Sequence, residues 1–274
     1  MKHTTVTFEV ENFSNFQIFA LYLQTMEPQF PDAIRWSMTI RDKIFKMHVA
    51  YEDVLKQIPI WNSDNKEMEK RGFGDSKEGV ILALRYETFL NSVYSLCESL
   101  ARVTVGFYPE LSQGFRKQRK ELLSKKEQVD PQYASIIKST KWYEEVHSIR
   151  SEATHFLSGF TTISKNGEPG YFNKPKGSRE GVPFKISVDS VEKHINEIYR
   201  SVDNFLQQFG DHFIQKLDPN KRIGNICMKD GKQYVGARGQ SLYEFINKQP
   251  GICVTPKYEC PLRNNCQAYR NALI

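Results

Sequence analysis

The chain has 274 residues, of which 39% are hydrophobic and 12% aromatic, a composition that fits one or two globular domains and excludes a disordered protein. No apolar run approaches the roughly 20 residues that a membrane helix needs, and the N-terminal MKHTTVTFEVENF lacks a signal-peptide core, so we expect a soluble, cytoplasmic protein. The net charge is +6, and from Lys216 onward ten basic residues stand against four acidic ones, so the C-terminal segment carries all of the excess.

Helical spacing of apolar residues dominates the first half of the chain. Helices are predicted over about 12–26 and 31–58, and the polar, glycine-containing stretch 61–79 predicts a loop. The clearest element is a helix over 80–103. Its buried face should hold apolar residues spaced four and three apart: Leu82, Tyr86, Phe89, Val93, Leu96 and Leu100. Residues 114–126 predict a short basic helix.

The second half of the chain begins with another predicted helix, and its later segments are predicted to contain loops and short strands as well. A helix that ends near Ser158–Gly159 is predicted from an apolar stripe with spacings of four and three: Trp142, Val146, Ile149, Ala153, Phe156 and Phe160. The glycine- and proline-rich residues 161–187 predict a loop or small β-hairpin, and 190–217 predict a further helix. Beyond 218 we expect short strands and turns around a possible helix, 241–248. The fold class is therefore mainly α: a helical bundle over 1–217 and a small, basic α+β module with cysteines over 218–274.

The helix near residue 150 carries an unusual polar face in the segment HSIRSEATHFL. On an ideal helix, His147, Ser151 and His155 lie roughly 140–180° from the apolar stripe, and Arg150 lies on its flank. We therefore expect His155 to face solvent, a neighbouring helix or another chain. The alternative interpretation of this face is a solvated helix surface with an incidental histidine.

The segment Arg150-Ser-Glu-Ala-Thr-His155 resembles the R-x(4–6)-H motif of HEPN proteins, and RYETFLNSVYSLCESLARV resembles a HEPN core helix. The resemblance covers about 30–215 and implies a bundle of four or five helices that dimerises, placing two Arg–His motifs around one cleft. It also implies a metal-independent endoribonuclease of a toxin–antitoxin or antiphage system, with tRNA as a conceivable target and an antitoxin as a conceivable partner. Active members commonly carry Asn, Asp or His directly after the arginine, where this chain has Ser151.

RNA cleavage needs the chemistry that these two side chains offer. The ribose 2′-OH is the nucleophile, histidine can transfer protons near neutral pH, and arginine offers a fork of donors to phosphate oxygens. Arg150 and His155 lie about 140° apart on one helix, which favours a site shared by two copies. His147, Ser151 and Glu152 are predicted to support His155. The predicted RNA-binding residues are Arg116, Lys117, Arg119 and Lys120 in the basic helix and Arg263 and Arg270 in the tail.

Four cysteines lie in the basic C-terminal segment: Cys227, Cys253, Cys260 and Cys266. Four thiolates can hold a structural Zn²⁺ in a module too small for a large core, although the spacing lacks a C-x2-C pair. Free thiols are the alternative, and the basic charge suits either nucleic acid or a solubilising surface. Two functional alternatives to the ribonuclease therefore remain: a catalytically inactive HEPN module that binds RNA, a nucleotide or a protein, and a zinc-containing nucleic-acid-binding regulator.

Overall fold

The computed structural model describes residues 14–27, 29–72, 76–124, 126–155, 158–173, 185–229, 232–254 and 266–272. The chain is mainly helical, as predicted, with two small antiparallel sheets in the described part. Its α-helices are α1 (Asn15–Tyr22), α2 (Ala33–Arg71), α3 (Lys77–Val105), α4 (Phe115–Leu122), α5 (Pro131–Lys138), α6 (Trp142–His155), α7 (Val191–Ile214), α8 (Leu242–Ile246) and α9 (Gln267–Asn271). Its strands are β1 (Phe160–Ile163), β2 (Pro169–Asn173), β3 (Lys185–Val188), β4 (Arg222–Lys229), β5 (Lys232–Ser241) and β6 (Ile252–Cys253).

The chain divides into two compact units. One comprises Thr39–Phe209, and the other comprises Met1–Met38 together with Gly210–Ile274, so the borders fall inside α2 and α7. This division groups residues that lie close together in space, whereas a domain is a segment that could fold by itself. The division into domains at residue 217 therefore stays a prediction.

Helix α3 is the centre of the Thr39–Phe209 unit. All six residues of its predicted apolar face are buried: Leu82, Tyr86, Phe89, Val93, Leu96 and Leu100. Ser76 caps the helix by accepting a hydrogen bond from the Gly79 backbone N–H at 2.8 Å. Late α2 contacts early α3, since Gln57 Nε2 donates to Glu78 Oε2 at 2.7 Å, and the two helices are antiparallel.

Helix α2 is longer than the sequence predicted. The loop prediction for 61–79 is wrong over 61–71, because α2 continues through Pro59 to Arg71. Trp61 is only 2% exposed, and burial of an indole contributes roughly 2–3 kcal/mol to the free energy of folding. Asp64 also accepts a hydrogen bond from Ser76 Oγ at 2.8 Å. These tertiary contacts outweigh the polar, glycine-containing composition on which the loop prediction rested.

Helices α4 and α6 and strand β1 of this unit contact α3, and α5 contacts α4. Helix α5, which the apolar pattern did not predict, begins with Pro131 after Asp130, whose carboxylate accepts from the Tyr133 backbone N–H at 2.8 Å. Strands β1, β2 and β3 form an antiparallel sheet in that order. The predicted hairpin excursion is thus confirmed for the residues that the structure describes there.

The second unit contains a three-stranded antiparallel sheet in the order β4, β5, β6. Helix α8 follows β5 directly, and Ser241 and Glu244 form a capping box at its start. The buried Tyr22 hydroxyl lies 3.1 Å from the carbonyl oxygens of both Gln240 and Ser241. This contact joins the end of α1 to the sheet of the same unit.

Candidate functional site

Helix α6 presents Arg150 towards α3. Arg150 Nε donates to Asn91 Oδ1 at 3.1 Å, and its Cζ lies 4.4 Å from the centroid of the Tyr94 ring. Both partners are on α3, so two contacts of different kinds determine where the guanidinium lies. Within the described residues its terminal nitrogens make no further hydrogen bond, and these nitrogens carry the paired donors that suit a phosphate.

Tyr94 provides Arg150 with a neutral aromatic face. Burial raises the pKa of the Tyr94 phenol, the negative charge of Glu98 raises it further, and Arg150 opposes both. Because the pKa lies above its ordinary value, the phenol stays protonated at neutral pH. Glu98 itself accepts a hydrogen bond from the Tyr143 hydroxyl at 3.2 Å.

Arg150 lines a cavity of about 820 Å³ between α2 and α3, which we call the α2–α3 groove. This volume lies within the roughly 300–1,000 Å³ of small-molecule sites. Four cationic and two acidic side chains line it: Lys43, Lys46, Arg102, Arg150, Asp53 and Glu98. Lys46 also pairs with Asp42 one helical turn away, at 2.8 Å. The positive excess of the lining favours an anionic ligand.

The rest of the groove lining is part apolar and part neutral polar. Phe45 is 62% exposed and Val49 is 40% exposed, and both line the groove. Asn91 and Ser95 lie on the α3 side. The groove therefore combines cations, amide and hydroxyl groups, and exposed apolar area.

His155 lies outside the α2–α3 groove. It is the last residue of α6 and is exposed, as its place on the helix predicted. The groove lining includes Arg150 but not His155. Within one copy of the chain, this groove therefore does not hold both predicted catalytic side chains.

The three predicted supporting residues lie in different surroundings. His147 is half-buried, and its ring centroid lies 5.9 Å from that of Tyr94 and 6.0 Å from that of Tyr143. Ser151 is half-buried. Glu152 is only 6% exposed, so it does not share the open face of His155, and its Oε2 makes no hydrogen bond among the described residues.

A buried carboxylate that the sequence did not single out holds the chain just after α6. Glu87 Oε1 on α3 accepts from the Gly159 backbone N–H at 2.8 Å and from the Tyr171 hydroxyl at 2.7 Å. Glu87 is 8% exposed. Its two hydrogen-bond partners lie 72 and 84 residues further along the chain, so the local sequence around Glu87 does not predict them. This contact positions the segment that follows His155.

Replacing Glu87 by Ala should lower the free energy of unfolding by about 2 kcal/mol, because the Gly159 N–H and the Tyr171 hydroxyl lose a buried acceptor. Urea unfolding followed by circular dichroism measures the loss. Glu110→Ala, at an exposed carboxylate, is the matched control and should change stability little. Equal stability of the two variants would mean that Glu87 does not hold this segment.

A second chain of polar contacts links α3, α7 and α6 and runs from the buried Tyr86 to the exposed Glu145. The Tyr86 hydroxyl lies 2.9 Å from His194 Nδ1, and His194 Nε2 lies 3.5 Å from Glu145 Oε1. This order of groups resembles a nucleophilic triad, but Tyr86 is fully buried, and burial raises the pKa of its phenol well above the ordinary value. The hydroxyl therefore stays protonated, and we interpret the cluster as a structural link between the helices.

The predicted RNA-binding residues of the basic helix differ in exposure. Arg119 is 8% exposed; its Nε donates to Thr140 Oγ1 at 2.9 Å and its Nη1 to Glu144 Oε1 at 2.7 Å. Arg116 lies 3.8 Å from the same carboxylate. Lys117 and Lys120 are exposed. A phosphate would have to displace Glu144 to reach Arg119.

The tail residues are described only in part. Cys253 is buried and Cys266 is half-buried. The side chains of Cys227, Cys260 and Arg263 lie outside the described residues, whereas Arg270 is exposed on α9. In the described part of the chain, no group of three or more His, Cys, Asp or Glu side chains is placed to hold a metal ion.

Asn91, Tyr94, Lys43 and Phe45 are the groove residues that sequence reasoning missed. The hydrogen bond between Arg150 and Asn91 joins residues 59 positions apart, and no local sequence pattern predicts such a contact.

Among the described helices, none has a stretch both long and apolar enough to span a membrane. No protein-family model, curated protein or solved structure matches this chain.

Proposed function

We propose that this protein is a metal-independent endoribonuclease of the HEPN type that acts as a homodimer. Arg150 binds the scissile phosphate, and His155 transfers a proton. The observation that carries the proposal is the placement of Arg150, which Tyr94 and Asn91 hold at the edge of a groove with excess positive charge. A pre-positioned guanidinium stabilises the charge that develops on a phosphorane.

The reaction uses the nucleophile of the substrate itself. The ribose 2′-oxygen attacks phosphorus and loses its proton to a base, the bond from phosphorus to the 5′-oxygen breaks, and that oxygen gains a proton. The products are a 2′,3′-cyclic phosphate and a 5′-hydroxyl. An imidazole can accept the first of these protons or donate the second, and this is the role proposed for the exposed His155.

Dimerisation completes the site in this proposal. Arg150 and His155 diverge by about 140° on one helix, so a second copy is needed to bring an imidazole to the phosphate that Arg150 holds. Apolar side chains suited to such an interface are exposed on α3, where Val80 and Leu84 are 66% and 62% exposed. The motif resemblance extends the proposal to antiphage defence or a toxin–antitoxin system, with tRNA as the target.

Cleavage of total RNA in EDTA tests this function. The wild-type protein should release fragments with 2′,3′-cyclic phosphate ends, and Arg150→Ala and His155→Ala should each cut at least about 100-fold more slowly. Arg71→Ala, at an arginine exposed at the end of α2, is the control and should cut normally. Equal cleavage by every variant, or none by any protein, contradicts the proposal.

The second candidate function is a catalytically inactive module of the same type that binds RNA. The observation that favours it is the separation of Arg150, inside the groove, from His155, outside it. Ser151 directly after Arg150 also favours it. In the same experiment this module would bind RNA without cutting it.

A further inference from the structure

We infer that the α2–α3 groove is a subsite for one nucleotide of single-stranded RNA, with its phosphate on Arg150 and its base against Phe45. The identity of the ligand as RNA rests on the proposed function. The subsite itself rests on three features that line the same groove: a positioned guanidinium, an exposed aromatic ring, and neutral hydrogen-bonding groups.

The phosphate end of the subsite is the cationic part of the lining. Arg150 uses Nε for Asn91 and its flat face for Tyr94, which leaves the terminal nitrogens as a pair of parallel donors. Such a pair matches two oxygens of one phosphate. Lys43 is half-buried in the same lining and adds a second positive charge.

The base end of the subsite is the exposed apolar part. Phe45 is 62% exposed although it lines a groove, so most of its ring is accessible to a ligand. Nucleobases stack on such rings whatever their sequence. Val49, one helical turn further along α2, is 40% exposed and adds apolar area on the same side of the helix.

The neutral polar part of the lining suits a sugar. The side chains of Asn91 and Ser95 on α3 offer amide and hydroxyl groups in the same groove as Arg150 and Phe45. A base that is stacked and paired inside a duplex cannot turn away from its neighbours to reach Phe45 without the cost of unstacking. The groove should therefore select single strands.

Binding of an uncleavable strand by the full-length protein tests the subsite. The probe is a fluorescein-labelled, fully 2′-fluoro RNA about ten nucleotides long, a length within the usual range of single-strand sites. Fluorescence anisotropy in EDTA over a series of salt concentrations gives the affinity and its salt dependence. The 2′-fluorine removes the nucleophile, so binding is measured whether or not the protein cleaves RNA.

The variants should separate the two ends of the subsite. Phe45→Ala should weaken binding about tenfold with an unchanged salt slope, because it removes stacking and no charge. Lys43→Ala should weaken binding and reduce the salt slope by about 0.7, the value for one phosphate contact on a single strand. Tyr243→Ala and Lys66→Ala, at an exposed aromatic residue and an exposed lysine outside the groove, are the matched controls and should bind as wild type.

Two results would overturn the inference: Phe45→Ala binding as tightly as Tyr243→Ala, or a duplex of the same sequence binding as tightly as the single strand. The failures of the two proposals are distinguishable. If the protein binds RNA in a way that depends on Phe45 but does not cleave it, the ribonuclease proposal is wrong and the subsite is supported. If cleavage depends on Arg150 and His155 but binding does not change in Phe45→Ala, the subsite is wrong and the ribonuclease proposal is supported.

Discussion

A one-to-one mixture of the Arg150→Ala and His155→Ala proteins should regain RNA cleavage, although each protein alone should be nearly inactive. In one copy Arg150 lines the α2–α3 groove and His155 lies outside it, so we expect each active site to take its arginine and its histidine from different copies. A mixed dimer then contains one site with both intact residues and one with neither. Random pairing gives about half mixed dimers and hence about a quarter of the wild-type rate.

The EDTA cleavage assay on the unselected mixture measures this recovery. Co-expression of the two variants with different affinity tags, followed by two-step purification, isolates the mixed dimer, which should reach about half of the wild-type rate. Addition of the double variant Arg150→Ala/His155→Ala to wild-type protein is the opposing control. Because a mixed dimer of those two has no complete shared site, the double variant should suppress wild-type cleavage as subunits exchange. A mixture of single variants that stays as inactive as its components would contradict a shared site.

Replacing Gly210 by Ala should destabilise the protein by about 3 kcal/mol, the upper end of the cost of overpacking. Gly210 lies inside α7, where alanine usually stabilises a helix by about 1 kcal/mol relative to glycine. Here the added Cβ would lie 2.3 Å from Phe16 N and 2.4 Å from Phe16 Cα. Those atoms belong to the backbone of α1, so no change of rotamer relieves the overlap.

Urea unfolding monitored by circular dichroism measures the free energy of unfolding of this variant. Gly224→Ala is the control, because a Cβ at Gly224 would meet no atom within 4 Å, and we expect it to match or slightly exceed wild-type stability. A Gly210→Ala protein more stable than wild type would show that α1 does not approach α7 as closely as the structure has it.

Local pattern was a good guide wherever one element buries one face. The apolar face of α3 follows from its spacing alone, because a helix places residues three and four apart on one side. The exposure of His155 followed from the same geometry. The pattern failed where contacts between residues far apart in the sequence determine the structure. Trp61 is buried inside α2, which continues past the predicted end of the helix. Arg119, which the composition predicts to be a surface cation, donates a hydrogen bond to Glu144.

The amino-acid sequence by itself determined the helical class of the chain, the face that α3 buries, and the place of Arg150 and His155 on one helix, since all three depend on the 3.6-residue period. Only the tertiary structure decided that Arg150 lies on Tyr94 beside Asn91 in a groove, and that Glu152 is buried while His155 is not. Those properties depend on which helices pack together. Side chains 59 residues apart meet only after the chain has folded.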